Sequence, residues 1–179
     1  MINPLSTEIQ VEPAQLADVE VMDRLEQEAF NTPWSRELLR GAIVNAEYIV
    51  RVLRLPGEGL LGFYIAHGVE ERCNLDNLVV DLAFRNRGYG SLLIRDWIEQ
   101  AERRGLARLT LQVNTANRDA QRLYEGLGFR ATRLLVSYYP NGEDAYLMVR
   151  EAPPDHSTLP GSPARPDTRK QKTRRSPSR

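Results

Sequence analysis

Lysine is almost missing from this sequence. Of 179 residues only Lys170 and Lys172 are lysine. Of 24 basic residues 7 follow Glu151, which leaves 17 before it, all arginine. Schiff-base catalysis and a Walker-type phosphate-binding lysine are therefore excluded from that region. Cysteine is equally scarce: Cys73 stands alone, so no internal disulfide can form, and with His67 and His156 as the only histidines no metal-ligand cluster is expected. No G-x-S-x-G elbow occurs, and a Ser-His-Asp arrangement would have to use His67, which in GFYIAHG reads as an ordinary strand residue. No run nears the roughly 18 apolar residues of a membrane span, and the opening MINPLSTEIQVEP lacks the basic and apolar regions of a signal peptide. A cytoplasmic protein without a membrane partner is expected.

What is present divides the chain. Residues 1–151 carry 17 basic and 22 acidic side chains, net −5, and residues 152–179 carry 7 and 2, net +5. From Pro153 onward there are six prolines and almost no large apolar side chain, too little to offset chain entropy. The expected organisation is a folded domain over 1–151 and a disordered basic tail over 152–179. Such a tail suits contact with RNA or simple solvation, and both readings stand.

Within the domain, Thr7–Glu12 alternates as a strand, and Leu16, Val19, Met22, Leu25 and Ala29 fall three or four apart as in an amphipathic helix over Ala14–Phe30. Ser35 can cap a second helix carrying Leu38, Leu39, Ala42 and Ile43. Glu47–Leu55 and Leu60–His67 flank Pro56-Gly57-Glu58-Gly59 as a hairpin, and Asn74–Leu82 reads as a third strand. A helix bearing Leu93, Ile94, Trp97, Ile98 and Ala101 ends at Arg104-Gly105, the strand Leu106–Asn114 follows, and Asn117 caps a short helix with Ala120, Leu123, Tyr124 and Leu127. Arg130–Tyr139 and Asp144–Val149 close the domain as strands. Strand, helix and strand around residue 90 make a right-handed unit with parallel strands in a mixed α/β fold.

Between that third strand and its helix lies FRNRGYGSLL, Phe84–Leu93. A glycine-rich turn at a helix start presents unpaired N–H groups at the positive end of the helix dipole, a seat for phosphate. A dinucleotide fingerprint would need glycine at Leu93, and a P-loop would need Gly-Lys-Ser/Thr at Tyr89-Gly90-Ser91. Alone, Gly88 and Gly90 fit either a phosphate seat or a tight turn.

Arg85-Asn86-Arg87-Gly88-Tyr89-Gly90 resembles the signature of the GNAT superfamily of acyl-CoA-dependent N-acyltransferases, and Asn117, Ala120 and Tyr124 in NRDAQRLYEGLGF repeat that family's downstream N-x-x-A-x-x-x-Y segment. The resemblance covers roughly Thr7 to Arg150 and is strongest from Leu75 to Met148. Three segments are similar to protein N-terminal acetyltransferases, among them the bacterial ribosomal-protein-alanine enzymes: Phe30–Ser35, Tyr124–Phe129 and Ser137–Met148. The resemblance implies a mostly antiparallel sheet of about seven strands with a splayed parallel central pair and about four helices, and acetyl-CoA as cosubstrate without a metal. It implies cofactor contacts at Leu78, Val79, Val80, Arg85, Asn86, Arg87, Gly88, Tyr89, Gly90, Ser91, Asn117 and Tyr124. Pro33, Trp34, Tyr138 and Tyr139 are implied to receive a peptide's first residues.

The implied chemistry is direct attack of a neutral amine on the thioester. Backbone N–H near Val79 and Val80 would stabilise the oxyanion, and Tyr124 would protonate the departing thiolate. Many of the bacterial relatives carry Glu in a strand segment L-E-V-R, where this chain has Leu111-Gln112-Val113-Asn114. A glutamine amide cannot take up a proton, so Gln112 is left to orient a water, with Glu28 and Asp76 as alternative bases. An α-amine of pKa about 7.7–8.0 is roughly a tenth neutral at pH 7, against less than about a thousandth for lysine, so weak base catalysis favours N-terminal acceptors. The expected activity is acetyl transfer to a protein N-terminus, a ribosomal protein among the candidates, by a monomer or dimer. A small-amine acetyltransferase and a catalytically weakened CoA-binding subunit are the alternatives.

Overall fold

A computed structural model of the chain describes residues 8–152. The expected disordered tail, from Pro153 onward, lies outside the described residues, as does Thr7. Along the chain come β1 (Gln10–Pro13), α1 (Val19–Ala29), α2 (Arg36–Val44), β2 (Tyr48–Leu55), β3 (Gly59–Val69), β4 (Arg72–Val80), α3 (Tyr89–Arg103), β5 (Arg108–Asn114), α4 (Arg118–Gly126), β6 (Arg130–Leu135) and β7 (Ala145–Glu151). The strands form one seven-stranded sheet in the order β1-β2-β3-β4-β5-β7-β6. Among the described residues only β4 and β5 run parallel; every other neighbouring pair is antiparallel. The expected mixed sheet with its central parallel pair and four helices is what forms.

Boundaries moved where side chains captured backbone groups. The first helix was expected from Ala14 and begins at Val19, after a 3₁₀ turn over Leu16–Asp18. There the Asp18 carboxylate accepts the Gln15 N–H at 2.9 Å and binds Arg54 at 2.6 Å, which holds the entry out of helical register. Ser35 caps α2 as expected, accepting the Leu38 N–H at 3.3 Å. The strand expected over Arg130–Tyr139 stops at Leu135. Ser137 takes a left-handed φ of 50°, and its N–H donates to the Asp144 carboxylate at 2.8 Å. Tyr138 and Tyr139 therefore sit on a loop.

Each face of the sheet is covered by a helix pair. Val19, Met22 and Leu25 of α1 and Leu39 and Ala42 of α2 pack with Val50, Val52, Phe63, Ile65 and Val79. On the opposite face Leu93, Ile94, Trp97 and Ala101 of α3 and Tyr124 of α4 pack with Leu53, Tyr64, Cys73, Leu75, Leu111 and Met148. That second core encloses one ionic group. Arg51 of β2 grips Asp96 of α3 through two bonds of 3.0 and 3.1 Å and donates to the Val11 carbonyl at 2.7 Å, while the Tyr64 hydroxyl donates to Asp96 at 2.8 Å. Three strands are thereby tied to α3, with Arg51 bonded through Nε and Nη2.

One irregularity governs the centre. The β3/β4 register passes from Ile65↔Asn77 to Ala66↔Leu75, leaving Asp76 as an extra residue in β4. Such a bulge reverses the alternation of side chains. Cys73 and Leu75 before it face α3, and Asn77 and Val79 after it face α1 and α2. The β4/β5 ladder runs from Arg72↔Arg108 to Leu75↔Leu111 and goes no further, so the parallel strands part at the bulge. On the other edge of β4 the backbone is close: a Cβ on Gly62 would lie 2.6 Å from the Val79 carbonyl oxygen, so only glycine fits.

Asp96→Ala should cost about 3 kcal/mol or more, because it strands the largely enclosed Arg51 guanidinium and the Tyr64 hydroxyl. Arg103→Ala, which breaks an exposed pair with Glu99, should leave stability nearly unchanged. Urea unfolding of the two variants checks this; equal effects would contradict it.

Candidate active site

The parting of β4 and β5 opens a groove of ≈ 610 Å³. Its floor is Leu75, Asp76, Asn77 and Leu78 of β4 and Leu111, Gln112, Val113 and Asn114 of β5. Asn117, Ala120 and Tyr124 form the wall from α4. Ala29 at the end of α1 and Phe30, Asn31 and Thr32 after it form a second wall, and Tyr139, Pro140, Asn141 and Glu143 complete the rim. Five of the expected site residues, Leu78, Gln112, Asn117, Tyr124 and Tyr139, thus meet in one cavity.

The glycine motif lies at the start of α3, beside α4: a Cβ on Gly90 would stand 3.7 Å from Leu123. Gly88 is the cap residue with φ 86°, the left-handed conformation that glycine adopts without strain, and its carbonyl accepts the Leu92 N–H at 3.1 Å. Asn86 is also left-handed at φ 60°. No side chain of the cap bonds the first helical N–H groups, so Tyr89, Gly90 and Ser91 present theirs at the positive end of a 15-residue helix. Arg85 and Arg87 are exposed beside this turn; Arg85 donates to the Val80 carbonyl at 3.2 Å, and Arg87 lies 5.0 Å from the Phe84 ring centre. An open cap with free N–H groups and two flanking cations fits a pyrophosphate.

Backbone geometry separates the two valines. The Asp81 N–H donates to the Leu61 carbonyl on the β3 side. Because N–H groups alternate along a strand, Val79 also turns toward β3, paired opposite Phe63, while Val80 and Leu78 offer theirs at the open edge. The Val79 side chain is buried among α1 and α2 residues.

Hydrogen bonds inside the groove have a direction. Asn74 accepts from the Thr110 hydroxyl at 2.9 Å and from the Gln112 amide at 3.2 Å, and its own amide donates to Asp76 at 2.7 Å. Asp76 is the acceptor at the end of this chain. Its carboxyl is open to the groove, yet the surrounding walls desolvate it and push its pKa up, against the Asn74 hydrogen bond and the nearby His67, which pull it down. Tyr124 is buried, and desolvation, with Tyr139 nearby, pushes its phenol up to about 12.

Several expected residues stand elsewhere. Trp34 packs on the core beneath α1 and α2, and neither it nor Pro33 lines the cavity. Tyr138 is exposed outside the groove, edge-on to Tyr139 at 5.1 Å between ring centres. Glu28 is exposed, pairs with Arg24 at 3.1 Å and does not reach the groove. Asn117 spends its side chain capping α4, accepting the Ala120 N–H at 3.1 Å. Sequence reasoning passed over Asn74, Asn77 and Glu26. Glu26 is completely buried and accepts from the Trp34 N–H at 3.1 Å and from the Asn77 amide.

Known proteins share this sequence family and fold. Residues 17–129 match the Acetyltransferase (GNAT) family. A curated relative, the [ribosomal protein bS18]-alanine N-acetyltransferase of Salmonella typhimurium, is 33% identical over 129 residues, 70% of this chain and 86% of its own. The Escherichia coli protein of the same name is 31% identical over 138 residues, 75% of this chain and 92% of its own. The crystal structure of the Escherichia coli ribosomal-protein-S18-alanine N-acetyltransferase superposes with a TM-score of 0.77 at 29% identity, covering 85% of this chain and 99% of that one. Arabidopsis thaliana NAA60 in complex with a bisubstrate analogue shares the fold at a TM-score of 0.74 and 22% identity, covering 81% of this chain and 98% of its own. The chain belongs to the GNAT family and is an acetyl-CoA-dependent N-acetyltransferase.

Proposed function

We propose that the protein transfers the acetyl group of acetyl-CoA to the α-amino group of a protein N-terminus, with a ribosomal protein as the leading class of acceptor. The observation that carries this is the groove itself: two loops, with Phe30, Asn31 and Thr32 on one and Tyr139, Pro140, Asn141 and Glu143 on the other, line it, so an extended chain can enter where a buried pocket would admit only a small amine. The bacterial relatives named above support the same acceptor class.

In this reading the open cap of α3 holds the pyrophosphate, and the Val80 and Leu78 backbone at the free edge of β4 faces the acyl chain. Transfer forms a C–N bond and breaks the C–S bond; the amine gives up a proton and the sulfur receives one. Asp76 takes the proton from the amine through one water. Asn74, steered by Thr110 and Gln112, turns its amide toward that carboxylate, so Gln112 acts by orientation. Tyr124 donates to the sulfur. A free thiol near pKa 8.5 would be protonated uphill by a phenol near 12, but the same desolvation that raises the phenol raises a thiolate released beside it. Because Tyr124 keeps its proton far into the alkaline range, it remains a donor wherever the amine is neutral.

A panel of acceptors tests the function. An Ala- or Ser-starting peptide should be acetylated at its α-amine, and an N-blocked peptide with an internal lysine and a free polyamine should react at least about 100-fold more slowly, as their amine pKa values require. Faster polyamine turnover would instead assign the site to small amines.

Outcomes for Asp76, Gln112 and Tyr124 follow from the groove. Asp76→Asn should lower kcat for the peptide about 100-fold, with partial recovery as pH rises and more amine is neutral. Gln112→Glu should keep or raise activity, and Gln112→Ala should retain most of it. Inactive Gln112→Ala beside active Asp76→Asn would reverse their roles. For Tyr124, the unfolded phenol ionises near 10 and the folded one near 12, so the unfolded state loses its proton first. The stability held below pH 10 is therefore lost as pH climbs toward 12, by about 3 kcal/mol from this group. Tyr124→Phe should show that much less alkaline loss in urea melts, together with reduced turnover; an unchanged alkaline slope would contradict the burial argument.

A further inference from the structure

Among the described residues Asp18 and Glu26 are the buried carboxylates; Asp18 is matched by Arg54, and no cation is paired with Glu26. A charge left in that position demands hydrogen bonds. Glu26 has two, and both come from donors: the Trp34 N–H on one oxygen and the Asn77 amide on the other. A carboxylate only accepts, so it fixes the Asn77 side chain with its NH2 turned inward. The Asn77 carbonyl oxygen is then the end that is left. Asn77 lines the groove, no described donor bonds that oxygen, and among the described residues no side-chain oxygen or nitrogen that is sealed from solvent lacks a partner. The oxygen is therefore open to the groove, one residue beyond the Asp76 bulge and on the side where Phe30, Asn31 and Thr32 form the wall.

We infer that the Asn77 carbonyl oxygen, locked outward by Glu26, accepts an N–H of the incoming α-amine and aims its lone pair at the acetyl carbon. The inference rests on the N-terminal acceptor proposed above and assigns the group that orients it. When the α-ammonium gives one proton to Asp76 it keeps two N–H bonds, and an acceptor for one of them fixes the direction of the lone pair. A neutral carbonyl suits this role, because a carboxylate in direct contact would hold the amine in its protonated, unreactive form. The same Glu26 carboxylate ties down Trp34, at the end of the loop that carries Phe30–Thr32, so one buried charge sets both the amine acceptor and the wall beside it.

Glu26→Gln separates this from a structural role. Its Oε1 can still accept the Trp34 N–H, but its NH2 now faces Asn77, which must turn its carbonyl inward and its NH2 toward the groove. The expected result is a rise of about tenfold in peptide KM, with acetyl-CoA KM unchanged and thermal stability kept or raised, since a desolvated charge is removed. Asn77→Ala, which deletes the acceptor and leaves the Trp34 contact, should raise peptide KM to a similar degree. A parent-like peptide KM in either folded variant overturns the inference, as does a loss that falls equally on both substrates with lowered melting temperature. If Glu26→Gln does not fold, Asn77→Ala decides by the same criterion. Failure of the parent enzyme to acetylate any peptide would remove the acceptor reading and this inference with it, an outcome visible in the unmodified protein alone.

Discussion

The extra residue in β4 is the constraint on which the site depends. In a regular parallel ladder β4 and β5 would stay paired as far as Leu78 opposite Asn114, and their hydrogen bonds would close the centre of the sheet. Asp76 interrupts that pairing after Leu75↔Leu111 and exchanges the faces of everything beyond it. Three consequences arise from one insertion. The open edge of β4 keeps unpaired backbone, Asp76 is presented to the groove, and Asn77 is carried to the side of α1, where Glu26 holds it. Beyond the bulge β4 stays against β3, where Gly62 lets the strands approach at Val79 and Val80 too closely for any other residue.

The sheet also sorts the chemistry by face. On the α3 and α4 side stand the open helix cap, the arginines beside it and Tyr124, a set suited to an anionic donor and its leaving group. On the α1 and α2 side stand the loop after α1 and the Glu26–Asn77 pair, a set suited to an amine. In the proposed reading, negative charge beside the acceptor and positive potential beside the donor would keep the two from exchanging places. The polar chain from Thr110 and Gln112 through Asn74 to Asp76 runs across the parting between them.

Much of this was legible in the residues. Helical spacing at Leu93, Ile94, Trp97 and Ala101, the Ser35 and Asn117 caps and the glycines of FRNRGYGSLL each report a local physical preference, and all stand where expected. The positions of Gly88 at the start of α3 and of Tyr124 on α4 were readable because a helix start and a spaced motif are short-range signals. Errors arose where a distant group decided. Asp144 captures the Ser137 N–H and ends β6 early, which moves Tyr138 out of the groove, and Asp18 does the same to the entry of α1. The bulge at Asp76 has no local mark in NLDNLVV, since any residue there can be the extra one. Glu26 looked like one more solvated acid on an amphipathic helix, and only the approach of Asn77 across the sheet shows that it is enclosed.

The central claim is that acetyl transfer takes place where β4 and β5 part. A crystal structure with a bisubstrate compound, coenzyme A joined through an acetyl bridge to the α-amine of an Ala-starting peptide, tests it most directly. The account predicts the bridge between Asp76 and Tyr124, the pyrophosphate on the N–H groups of Tyr89, Gly90 and Ser91, and the peptide leaving past Phe30 and Tyr139. A bridge seated away from the Asp76 bulge, or a peptide leaving on the α3 side, would contradict it.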